Sequence, residues 1–182
     1  LFITLSLLLA CLLLSGLLSW FNFMGLCWRV RPQGAWRAGH ETLEQTGEGG
    51  CNRNLLYRND FSHAAANGIE ATFSVGNRFI ENRIEECDHG VWAGYSSETL
   101  VAGNYIARCA NGISIEHGNG NEIDGNAFEE NGVAIHLWWD EDPHLFKTAY
   151  GRKRNVKSER YTITGNSFRG DKTAIRLGAT TG

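Results

Sequence analysis

The chain has 182 residues, with 22 glycines, two prolines and a net charge of −3. That length suits one domain with an appendage, and the glycines suit a turn-rich all-β chain without low complexity. No basic stripe marks the body of the chain, which argues against nucleic acid as a partner.

Residues 1–28 carry no charge and are long enough to span a bilayer. They lack the initiator Met and basic leading region of a secretory signal. Arg29, Arg31 and Arg37 follow, which favours a cytoplasmic C-terminal side if the segment spans. Leu8-Leu-Ala-Cys11 resembles a lipoprotein cleavage box, although the apolar run continues past the cysteine. Export signal, membrane anchor and mis-started reading frame stay open as three readings. A membrane is expected as a partner only through this segment, if it is retained. Residues 29–50 read as a linker.

From residue 51 one frame recurs: apolar, two residues, Asn, one residue, apolar. Its asparagines are Asn59, Asn82, Asn104, Asn126 and Asn166, spaced 23, 22, 22 and 40 apart. A glycine recurs at Gly68, Gly90, Gly112 and Gly132, with Lys172 in its place in the fifth copy. A fixed period of this size indicates a solenoid. Leucine is too scarce for a leucine-rich repeat, whereas Ile, Val and Phe at two-residue spacing are strand chemistry. Gly and Asn punctuate every run, as turns with positive φ require.

The expected fold is therefore all-β: a parallel β-helix, single-stranded, with about 22 residues per rung over residues 51–182. Right-handed winding is the default for parallel crossovers. The Asn side chains are expected to stack as a ladder, each amide bonding to the next rung and satisfying inward backbone groups. Ligand binding by these amides is the alternative.

The Asn-x-apolar turn followed by Gly-Ile or Gly-Val, repeated at this period, resembles the right-handed parallel β-helix family. That pectate-lyase-like superfamily includes polysaccharide lyases, mannuronan C5-epimerases and periplasmic β-helix proteins of metal and sugar handling. The resemblance implies the fold, and a periplasmic, extracellular or cell-surface location, membrane-anchored if residues 1–28 persist. The matching residues are structural, so a reaction has to be argued from the site.

Cys87 and Cys109 each lie five residues after a ladder Asn and so stack on adjacent rungs. Stacked parallel side chains seldom reach disulfide torsion, and two buried free thiols are expected. The chain stops just after a strand with no amphipathic cap, as expected of a fragment of a longer solenoid.

Aligned on the glycines, one outward column reads Thr72, Gly94, Glu116, His136, Arg176, and its neighbour carries Glu70 and Trp92. Glu116 is then placed to orient His136 as a general base, with Arg176 neutralising a substrate carboxylate. Those are the groups for proton abstraction beside a uronate carboxyl, followed by elimination or epimerisation. The alternative is a solvated face whose charges pair across rungs. Glu70 and Glu116, roughly 12 Å apart by strand geometry, reach only inverting glycoside hydrolysis, which ranks lower.

Trp92 stands outward, and Trp138 and Trp139 follow the His136 strand. Exposed indoles beside a polar groove suit a glycan, while one of the last two is expected to pack under the loop that comes next. The glycine frame puts 20 extra residues between His136 and Tyr161, an insertion at about 138–160. Residues 141–160 hold six Lys or Arg against three Asp or Glu, a field suited to an anionic polymer. Within the insertion Asp142-Pro-His144 resembles part of the Asp-Pro-His-Asp motif of mannuronan C5-epimerases, with Leu145 in place of the final Asp. A proline turn is the simpler account. Asp142 and His144 join Glu70, Trp92 and Trp138 as candidate substrate contacts.

No metal site is read: His63, His89, His117 and His144 lack ligand spacing. No cofactor is expected, with calcium bridging at Glu116 left open as an unsupported alternative. The expected function is an exported domain that binds an acidic polysaccharide and, if the column is catalytic, cleaves or epimerises it. The rival is a non-catalytic scaffold, carbohydrate-binding or adhesin module.

Overall fold

The structure is a computed structural model and describes residues 36–37 and 52–181. The apolar segment 1–28, the rest of the linker apart from Trp36–Arg37, and Cys51 lie outside the described residues. No helix among the described residues is long and apolar enough to cross a membrane.

Every strand pairing among the described residues is parallel, and each coil from Arg78 onward visits three sheets in turn. A five-stranded sheet holds β2 (Leu55–Tyr57), β4 (Arg78–Ile80), β7 (Leu100–Ala102), β10 (Glu122–Asp124) and β13 (Thr162–Thr164). A four-stranded sheet holds β5 (Arg83–Glu85), β8 (Tyr105–Ala107), β11 (Ala127–Glu129) and β14 (Ser167–Arg169). The six-stranded sheet holds β1 (Trp36–Arg37), β3 (Asn67–Glu70), β6 (His89–Trp92), β9 (Asn111–Glu116), β12 (Val133–Trp138) and β15 (Thr173–Gly178). The segment read as a linker thus contributes β1, which pairs with Ile69 and Glu70 of β3.

Inward columns of like residues fill the core. Leu56, Phe79, Val101, Ile123 and Ile163 lie in register along one sheet. Ile84, Ile106, Phe128 and Phe168 do so along the second. Ile69, Val91, Ile113, Ile135 and Ile175 line the third. Parallel stacking at about 4.8 Å brings each apolar side chain onto its counterpart in the next coil.

A short coil must bend sharply, and it does so at residues in the left-handed region. Arg58, Glu81, Gly103, Gly125 and Gly165 have φ between 53° and 63°, and each precedes an Asn of the repeated frame. The Asn then bonds upward. The backbone N–H and Nδ2 of Asn82 donate to Asn104 Oδ1 at 2.8 and 3.0 Å, and those of Asn104 donate to Asn126 Oδ1, both at 2.9 Å. Asn59 bonds Asn82, and Asn126 bonds Asn166, in the same manner. Further corners use the same device: Asn54 donates to Asn77, the Thr99 N–H to Asn121, and the Cys109 N–H to Asn131. Cys87 and Cys109 occupy the corner column of Asn131 as buried free thiols.

The glycine frame fails at its fourth member. Val133 pairs with Asn111 and Ile135 with Ile113, so Ala134, not Gly132, takes the place of Gly112. The place is tight, since a Cβ on Gly112 would lie 2.5 Å from the Ala134 carbonyl oxygen, yet the next coil accepts a methyl there. Gly132 instead lies level with Ala110. The error shifts the fourth and fifth coils by two residues. The Asn spacing is the sounder ruler: 40 rather than 22 residues separate Asn126 from Asn166, so 18 are inserted, not 20.

Those residues lie between Trp139 and Ser158. They form a 3-10 turn, Leu145–Lys147, and one short helix, α1 (Ala149–Lys153), whose N-cap Thr148 accepts from the Gly151 N–H. Leu145, Tyr150 and Val156 bury themselves against Phe73 and Tyr95. These two belong to a corner column spaced at the repeat period. Phe73 stacks on Tyr95 at 4.4 Å, Tyr95 on His117 at 4.9 Å, and Trp139 meets the His117 ring edge-on at 6.1 Å.

Candidate functional site

The outer face of the six-stranded sheet carries the candidate residues in two adjacent columns. The first runs Glu70, Trp92, Ser114, His136, Arg176. In the second, Glu116 lies level with Trp138 and Gly178. Glu116 is therefore not the neighbour of His136 in its column, which corrects the arrangement that the glycine frame gives. Its carboxylate accepts from Trp138 Nε1 at 3.1 Å. His136 and Arg176 do lie side by side on adjacent coils.

Aromatic rings dominate the face. His136 stacks on Trp138 at 4.2 Å with an interplanar angle of 26°, and Trp138 meets Trp92 at 5.8 Å. His89 adds its edge to Trp92 at 5.0 Å, and its Nδ1 lies 2.8 Å from Ser114 Oγ. Trp92, His136 and Trp138 are each half-buried, so the cluster presents ring surface to solvent. Arg176 is exposed and makes no ion pair among the described residues.

The other candidates are occupied structurally. Glu70 is buried and accepts from Asn67 Nδ2 at 2.9 Å. Asp142 accepts from the backbone N–H groups of His144 and Leu145 at 2.9 and 3.1 Å, an Asx turn that opens the 3-10 segment. His144 is exposed on that turn. Of the two late tryptophans, Trp139 goes under the insertion and Trp138 joins the sheet face. Trp139, Glu141, Pro143, Phe146, Lys147 and Lys157 line a cavity of about 520 Å3, with Lys157 Nζ 5.7 Å from the centre of the Trp139 ring.

Burial, the Arg176 guanidinium and then His89 hold the His136 pKa below its ordinary 6.5. Burial lowers His89 too, against the opposing pull of Asp88. Both imidazoles are therefore neutral at pH 7. A depressed histidine contributes stability above the unfolded value, and this is lost as pH falls through the folded one. The melting temperature is expected to fall as pH is lowered from 7 to 5, and the fall should shrink in a His89→Gln/His136→Gln variant. Carboxylates such as Glu129, held low by the bond from Tyr105, act only below their ordinary value of 4.5. An unchanged pH profile in the double variant would remove the two rings as its cause.

The fold also assembles a group that spacing does not mark. Donor atoms of Glu116, His117 and Asp140 lie within 4.8 Å of one another. The sequence signal was present: Asp140 follows the Trp139 that takes the place of His117 one coil on.

No curated protein and no solved structure matches the chain. A family described as a right handed beta helix region matches residues 37–146. That match spans more than half of the chain, over the coils whose parallel register is set out above, and the chain belongs to the right-handed β-helix family.

Proposed function

We propose that the outer face of the six-stranded sheet binds an acidic polysaccharide of the uronate type. The observation that carries this is the half-open cluster of Trp92, Trp138 and His136, with the uncompensated Arg176 beside it. Sugar rings lay their apolar C–H faces on indoles, and a guanidinium offers a carboxylate a matched pair of donors. The cavity beneath the insertion repeats the pairing of aromatic surface with lysine. Such polymers are met outside the cytoplasm, so we place the domain at the cell surface or beyond it.

A second reading adds turnover. His136 is neutral at pH 7 and its coil neighbour is Arg176, so a base and a carboxylate clamp stand together. Proton abstraction beside a clamped carboxyl leads to elimination or epimerisation. Glu116 accepts from Trp138 Nε1, on whose ring this base stacks.

Arg176→Ala is expected to weaken binding to uronate oligomers roughly tenfold, the value of one charge-assisted bond of about 1.5 kcal/mol. Binding should also fall with added salt. Trp92→Ala should weaken binding with no change in its salt dependence. His136→Ala should keep most of the affinity and lose any turnover. A glycan panel read by calorimetry and by unsaturated-product absorbance separates the cases. Binding without turnover leaves a carbohydrate-binding module, and no binding to any acidic glycan leaves a scaffold.

A further inference from the structure

Glu116 ends β9, His117 turns the corner behind it with φ of 54°, and Asp140 opens the insertion one coil later. The His117 side chain is fully buried, while Asp140 is 72% exposed. Tyr95 against one face and the edge of Trp139 fix the ring plane. His117 Nδ1 lies 2.9 Å from the Val156 carbonyl oxygen. A carbonyl only accepts, so Nδ1 carries the hydrogen. In the neutral ring Nε2 then turns its lone pair toward Asp140 Oδ1, 3.2 Å away. Two acceptors face each other, and a cation must lie between them or a proton on Nε2.

We propose that Glu116, His117 and Asp140 bind a divalent metal ion of the zinc class. Nitrogen and carboxylate ligands sit about 2.0–2.2 Å from such an ion. The edge of a tetrahedron built on those bonds is about 3.3–3.5 Å, close to the 3.2 Å between His117 Nε2 and Asp140 Oδ1. The outer contacts are of the kind a metal site uses. The Val156 carbonyl holds the His117 tautomer, and Trp138 Nε1 donates to Glu116 Oε1, leaving Oε2 free to ligate. One nitrogen and two carboxylates are a poor set for calcium, which takes six to eight oxygens. Three protein ligands leave a further position open to solvent on the Asp140 side. The site adjoins the aromatic face through Trp138 but needs no glycan, so it stands or falls independently of the polysaccharide.

The full chain is stripped with a chelator and titrated with Zn2+ by calorimetry, with Ca2+ as comparison and Co2+ as an absorbing substitute. One Zn2+ per chain is expected, no Ca2+ heat, and a visible Co2+ band. Asp140→Asn and Glu116→Gln change partly or fully exposed groups and should keep the circular dichroism of the parent. Each should weaken Zn2+ by at least about tenfold. Absence of stoichiometric Zn2+ binding in the parent overturns the site and leaves His117 and Asp140 as an ion pair. Unchanged affinity in either carboxylate variant also overturns it, since the ion would then lack that ligand.

Discussion

Replacing Phe128 by alanine is expected to lower stability by about 3–5 kcal/mol, the range for emptying a buried aromatic site. Phe128 is 1% exposed and stacks on Phe168 of the next coil at 5.3 Å. Its ring also lies close to Gly112, where an added Cβ would meet it at 3.2 Å. The column Ile84, Ile106, Phe128, Phe168 cannot collapse into the gap, because each member is tied to a backbone whose spacing is set by strand pairing. Partial relaxation is what makes large-to-small changes cheap elsewhere, and this scaffold resists it. Thermal unfolding followed by circular dichroism should show a fall of roughly 10 °C or more. A fall of only a few degrees would show that the column is loosely packed.

Asn104→Ala is expected to cost about 1–3 kcal/mol, because it leaves the buried Asn82 N–H without the side-chain oxygen it donates to. The Phe79 carbonyl also loses the bond that Asn104 Nδ2 donates at 2.8 Å. Asn82 Nδ2 also donates to the Leu56 carbonyl, so that amide keeps a partner. Asn155→Ala, at an exposed site in the insertion, is the control. Denaturant midpoints for the two variants that agree within error would take the amide ladder out of the account of stability.

Fold class was legible because its determinants are local and repeated. An Asn after a left-handed residue and a β-branched or aromatic residue two places on are needed in every coil, so every coil displays them. The register of the outer face was harder. Glycine is required at Gly112 itself, but the same place one coil on takes Ala134, while Gly132, two positions early, mimics the glycine. A frame aligned on Gly132 puts Glu116 beside His136, whereas the chain sets it beside Trp138. The aromatic corner of Phe73, Tyr95, His117 and Trp139 is regularly spaced, yet it leaves no mark in the pattern of polarity. Its members share flatness rather than polarity, and a pattern of apolar and polar letters does not register shape. Asp142-Pro-His144 admits two readings for the opposite reason: a turn and a substrate contact are written with the same letters.

Most solenoids bind each coil only to its two neighbours, so their ends fray one coil at a time. The insertion breaks that rule. It leaves the chain after Trp139, and its Tyr150 meets Phe73 at 5.4 Å and hydrogen-bonds the Tyr95 carbonyl, while its Val156 carbonyl meets His117. Four successive coils are thereby strapped along one corner. Peeling the later coils tears the strap from the earlier ones, so this stretch must open as a single cooperative block rather than as a zipper.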